Sequence, residues 1–174
     1  MNGSLILAAV GALCCTQVLA TQFQVEVRLN VTQGCQLVGL GHEAGIEQLG
    51  VLDFGNTARL DQQAQALGAA LSNSRMPRLE CNPDTPYQIR IDGGLHGGIG
   101  EVRYLAGDEH STPIPYRLYR DAARREALPV NETLSGTVPD SGSVPLPLYA
   151  RIEPAAGIPR ASRYSDVLKV TLSW

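Results

Sequence analysis

What this sequence leaves out narrows its function first. There is no Gly-x-Ser-x-Gly elbow to present a nucleophile, so the loop His96-Gly97-Gly98 has no serine to serve as an oxyanion hole. The glycines between Gly93 and Gly100 follow no Walker pattern and open no helix, which removes the usual phosphate cradle. His42, His96 and His110 are scattered, with no further ligands nearby to complete a metal set, and read as surface residues. Asp53 beside Phe54 would serve as a catalytic acid only with another carboxylate facing it, and reads rather as a turn cap. Charge of one sign is lacking too: the formal net charge is only -3 and spread out, so nothing favours nucleic acid. The expectation is a protein that is not an enzyme, with no cofactor and no metal.

Long hydrophobic runs are confined to the beginning. Leu5 to Cys15 form an apolar core, and Val18-Leu19-Ala20 satisfies the small-residue rule for cleavage between Ala20 and Thr21. Residues 1–20 therefore read as a signal peptide, too short and too poor in flanking charge for a membrane anchor. Of four cysteines, Cys14 and Cys15 leave with this leader. Cys35 and Cys81 remain, and an exported pair most simply forms one disulfide. Closing a loop of that length stabilises a fold by about 4 kcal/mol in the chain-entropy account. The rest of the chain is one domain's worth and can bury a core.

What is present is strand pattern. Phe23 to Val31 alternates without a break, with Phe23, Val25, Val27, Leu29 and Val31 on one face. Short strands are predicted at Val51–Phe54, Tyr87–Ile91 before Asp92-Gly93-Gly94, Ile114–Tyr119, Val144–Tyr149 and Leu168–Trp174. Pro145 and Pro147 place the fourth of these at an edge or bulge. Such punctuation indicates an all-β sandwich. Ala58–Leu71 has helical propensity, yet in this setting it reads rather as a loop or irregular strand. Arg117–Glu126, with Arg120, Arg124 and Arg125, reads as a solvated loop or short helix. The sequons at Asn30 and Asn131 read as chance.

Several segments, taken in order, resemble the spore coat protein U domain family, to which the Csu-type subunits of archaic chaperone–usher pili belong. They are Gln24–Val31 with Gly34-Cys35, Gly50–Gly55, Leu79-Glu80-Cys81 and Ile91-Asp92-Gly93-Gly94, then Tyr119–Arg124 and Tyr164–Leu172. The resemblance implies an incomplete immunoglobulin-like β-sandwich that lacks its final strand and is completed by a donor strand from a partner. It divides the chain into a signal peptide (1–20), an N-terminal donor strand (21–31) and a pilin domain (32–174). It assigns Phe23, Val25, Val27, Leu29 and Val31 to the donor. Leu168, Val170, Leu172 and Trp174 fall on the inward face of the last strand, beside the groove. Cys35 pairs with Cys81, tying the first strand of the body to the second.

The partners implied are a periplasmic pilus chaperone, an outer-membrane usher and neighbouring pilus subunits. The implied location is a surface pilus of a Gram-negative bacterium, reached through the periplasm. The expected role is a polymerising pilus subunit serving adhesion and biofilm formation. The alternative is a secreted monomeric β-sandwich, either a binding module or a spore-coat structural protein.

Overall fold

The computed structural model describes residues 24–43, 46–60, 67–72, 76–152 and 158–174, with the side chains of 42–47 left aside. They divide into one unit that ends at Val31 and another that begins at Thr32. The first, over residues 24–31, forms no strand and carries Val25, Val27, Leu29 and Val31 exposed. Ala20, Thr21 and Phe23, and with them the signal peptide, lie outside the described residues.

The second unit is all-β, with no helix among the described residues. Its strands in chain order begin with β1 (Cys35–Val38), β2 (Gly41–Glu43), β3 (Ile46–Gln48), β4 (Val51–Leu52) and β5 (Leu67–Ser72). Next come β6 (Arg78–Cys81), β7 (Pro86–Ile91), β8 (Gly98–Ile99), β9 (Val102–Leu105) and β10 (Ile114–Tyr119). Last are β11 (Thr133–Thr137), β12 (Ser143–Pro145), β13 (Tyr149–Ile152) and β14 (Val170–Ser173).

One layer is a six-stranded sheet in the order β4-β5-β13-β10-β9-β8. Facing it are two three-stranded sheets, β11-β7-β14 and β1-β6-β12, while β2 and β3 form a separate hairpin. The core between the layers follows from strand alternation. Ala69, Leu118, Ala150 and Ile152 point inward from the large sheet, and Ile91 meets them from β7. Leu134 and Val170 pack against that cluster from the strands on either side of β7. Burial of this kind, roughly 25 cal/mol per Å² of apolar surface, is the main force holding the sandwich closed.

The two small sheets share one backbone. Chain residues 78–91 run from β6 into β7, interrupted by a turn in which the Thr85 hydroxyl donates to the Asn82 carbonyl at 2.8 Å. β11 and β12 line one side of this composite strand, joined through Val138, whose N–H donates to the Thr85 carbonyl at 3.0 Å. β1 and β14 line the other side, end to end. β1 leaves at Gly34, whose N–H donates to Asn82 Oδ1 at 2.9 Å, and β14 occupies the same side from Gln88 onward.

The sequence expectations at Ile114–Tyr119 and Tyr87–Ile91 meet strands with matching or nearly matching bounds. The Val144–Tyr149 segment splits. Ser143–Pro145 forms the edge strand β12, where proline costs no ladder bond, and Tyr149 opens the central strand β13. Of the ambiguous Ala58–Leu71 segment, residues 61–66 lie outside the described ones, and its final part enters strand β5. Pairing with β13 overrides the helical propensity of Leu67, Ala69 and Ala70 there.

Candidate functional site

The last strand is held at its base by a cluster of polar groups. The approach to β14 is first fixed by a bridge in which Ala106 and Ser165 exchange N–H···O bonds of 3.1 and 2.9 Å. Next, the Asp166 carboxylate accepts from the N–H groups of Leu95 at 2.8 Å and Val167 at 2.9 Å, and from the Tyr116 hydroxyl at 2.7 Å. Gly94 lies against this carboxylate with φ 78°, so a Cβ there would collide with Asp166 as well as strain the backbone. One residue pair further on, Asp92 Oδ1 accepts from the N–H groups of Gly94 at 3.0 Å and Lys169 at 2.9 Å. The turn Asp92-Gly93-Gly94 thus serves as a socket for the segment leading into β14.

Arg103 lies behind the socket with no exposed surface. Its guanidinium donates to the carbonyls of Asp92 (2.8 Å), Leu128 (2.9 Å), Ile91 (3.3 Å) and Pro129 (3.4 Å). Burial lowers its pKa from the ordinary guanidinium value, while Tyr116, Asp92 and Asp166 act in the opposite sense. Burial also raises the Tyr116 pKa well above its ordinary 10.0, with the hydrogen bond to Asp166 adding to the effect. The node is therefore a neutral phenol between a buried cation and a carboxylate, a structural latch with its polar groups satisfied. Arg103, Tyr116 and Asp166 were not singled out by sequence reasoning. The available signal was the pair of segments Asp92-Gly93-Gly94 and Tyr164-Ser165-Asp166, whose mutual contact only the fold supplies.

From this base β14 runs beside β7, pairing Val170 with Ile91, Leu172 with Ile89 and Ser173 with Gln88. Leu168 and Val170 pack against the core, Leu172 is half-buried, and Trp174 is 57 % exposed. Cover over the inward face thus thins from Val170 towards Trp174. At that thin end Tyr87 lies over Gly136, where a Cβ would come within 2.5 Å of its hydroxyl. Among the described residues β14 pairs with β7 alone, so its other edge is open.

Cys35 and Cys81 are joined by a disulfide, facing one another across β1 and β6. Asp53 caps its turn, its carboxylate accepting from the Gly55 N–H at 2.8 Å. His96 and His110 are exposed, and the His42 side chain is among those left aside. The Arg117–Glu126 region is the end of β10 and a turn rather than a helix. Asp121 closes it, with Oδ1 accepting from the N–H groups of Arg125 (2.9 Å) and Glu126 (2.8 Å), bonds that hold its pKa below the ordinary 3.8.

No curated protein matches this chain. The sequence profile of the Spore Coat Protein U domain matches residues 21–171, which includes the disulfide, the socket and the first half of β14. Domains of this kind are associated with pilus and spore-coat-like proteins and suggest an exported, surface-associated protein. On this match over most of its length, the chain belongs to the Spore Coat Protein U domain family.

Proposed function

We propose that the protein is a non-catalytic structural subunit of a chaperone–usher surface pilus, polymerising by donor-strand complementation. The observation that carries this reading is the pairing of an alternating, exposed apolar segment with an open, half-covered strand edge. Val25, Val27, Leu29 and Val31 are 85, 89, 85 and 75 % exposed, although their alternation is that of a strand with one buried face. β14 offers an unpaired ladder edge and an inward face that thins towards Trp174. An open edge of this kind invites pairing with another chain.

The body's own topology favours exchange with another copy over folding back. Beside the composite strand, β1 ends at Gly34 and β14 takes the same row from Gln88 onward. Only positions 83–87 of the composite strand lie between the two, fewer than the alternating segment upstream of Gly34 would occupy. In a neighbour's groove it would gain main-chain bonds and bury alternate side chains. Fully burying one Val or Leu is worth roughly 1.5–3 kcal/mol, so the four described donors contribute on the order of 10 kcal/mol before association costs. Donor and acceptor surfaces differ, so the contact is heterologous and extends into a filament.

In this reading residues 1–20 direct export, and a periplasmic chaperone covers the β14 edge until an outer-membrane usher passes the subunit to its neighbour. The finished fibre serves adhesion and biofilm formation. Val27→Arg tests the assignment, since it puts a charge on the buried face of the donor and leaves the body untouched. The expected outcome is a variant that folds with the chaperone yet fails to enter fibres, seen as loss of the polymer ladder on unheated gels. Polymerisation of this variant at the wild-type level would overturn the donor assignment, and absence of any polymer from the wild type would return the protein to the class of secreted monomeric sandwiches.

A further inference from the structure

The outer face of the six-stranded sheet carries a row of cations that neither the latch nor the strand edge uses. Alternation places Gly68, Arg151 and Arg117 on this face, opposite the inward Ala69, Ala150 and Leu118. The ladder registers align Gly68 with Arg151, Arg151 with Arg117, Arg117 with Val102 and Val102 with Ile99. Arg124 reaches the row from the turn after β10. It holds φ 55°, its guanidinium lies over Gly68 where a Cβ would otherwise sit, and its Nε donates to the Ala150 carbonyl at 3.1 Å. Three guanidinium groups thus stand over three neighbouring strands, which are about 4.8 Å apart in any sheet.

Two of these cations face one another directly. Like charges directly opposite in an antiparallel pair destabilise it, and Arg117 and Arg151 are such a pair. The carboxylate that faces Arg117 is Glu101, at 3.8 Å and with both side chains largely in solvent, a weak pairing. Arg117 Nε is buried without a hydrogen-bond partner among the described residues. On the same face, Tyr149 (opposite Tyr119) and Tyr104 (opposite Pro115) stand half-buried, one on either side of the Arg151–Arg117 row. The face is a flat ladder, not a cleft, so it suits an extended ligand.

We propose that this face binds an acidic polysaccharide, a polymer of carboxylated sugars. Guanidinium groups pair with carboxylates through two parallel N–H···O bonds, and a row of them fits a polymer whose carboxylates recur along its length. The tyrosine rings give the C–H faces of the sugars an apolar surface beside the charges. The overall net charge of -3 works against accumulation of a denser polyanion such as nucleic acid. The assignment does not depend on whether the protein polymerises.

The test is retention of the purified full chain on immobilised alginate, with dextran as the neutral control and single-stranded DNA as the competing polyanion. Wild type is expected to bind alginate at low salt, to release as salt rises and to ignore dextran. Arg117→Gln combined with Arg151→Gln removes two of the three guanidinium groups of the row and should weaken binding roughly tenfold. Thermal unfolding of the same variant is followed alongside, so that a loss of binding without a lower midpoint is assigned to the face itself. Glu101→Gln removes the competing carboxylate and should strengthen alginate binding, a gain that no folding defect can imitate. Failure of wild type to bind alginate at low salt, equal binding to dextran, or wild-type affinity in the double variant each overturns the proposal. So would tighter binding to DNA than to alginate.

Discussion

Tyr116 donates a single hydroxyl hydrogen bond to Asp166, and the whole approach to β14 leans on that carboxylate. Removing only the hydroxyl, in Tyr116→Phe, deletes one charge-assisted bond and leaves Asp166 its two backbone donors. The expected loss is about 1–2 kcal/mol in chemical denaturation. Asp166→Ala deletes all three bonds at once and leaves the Tyr116 hydroxyl without its acceptor, so its loss should be larger, about 3 kcal/mol. Its hydrogen exchange should rise first at Lys169 to Ser173, because what loosens is the socket and not the core. Arg103 is a different case. Each of its four carbonyl partners belongs to a loop or strand end around the latch, so Arg103→Met trades a satisfied buried cation for orphaned carbonyls. None of these three residues belongs to a recognisable sequence motif for catalysis or binding. Asp92 and Gly94, by contrast, stood out as turn signals, because a turn is a local event and its residues announce it.

At the scale of the strand, the disulfide fixes an element too short to hold itself. β1 has four residues and lies at the edge of its sheet. Cys35, its first residue, is covalently joined to Cys81 across a sequence separation of 46. Replacing both cysteines by serine should lower stability by about 4 kcal/mol in the chain-entropy account, measured by denaturation with and without reductant. The reductant should then have no effect on the variant. The proline-bearing segment illustrates how far elements could be foreseen. Pro145 correctly signalled an edge position for β12. Nothing local showed that the chain turns after Pro147 and that Tyr149 begins a central strand of the opposite layer. Likewise, the helical propensity of residues 67–71 is a local fact, and the β13 ladder that overrides it is not.

For the molecule as a whole, Tyr116 contributes an alkaline limit to stability, and Asp121 and Glu80, whose pKa values are both lowered, contribute to the acid one. The Tyr116 pKa is raised in the folded state, so its contribution is complete below the ordinary phenol value of 10.0 and is lost as pH rises above it. The Asp121 pKa is lowered, so its contribution is present above the ordinary 3.8 and is lost as pH falls below it. Unfolding midpoints followed across pH should therefore decline at both ends, and Tyr116→Phe should flatten the alkaline limb alone. A variant that left the alkaline limb unchanged would show that another group sets it.

By itself, the sequence determined the all-β class, the alternation of the individual strands, the export-type cysteine usage and the family, because each is carried by local pattern or by short motifs in order. It also gave Phe23 to Val31 the alternation of a strand, although residues 24–31 form no strand in the structure. Only the tertiary structure decided which strands neighbour which. It placed β1 and β14 end to end in one row, joined the Asp92-Gly93-Gly94 turn to Asp166, and aligned Arg117 with Arg151 across a ladder. Those relations connect residues far apart in the chain, and strand register and sheet order arise from packing that no window of sequence contains.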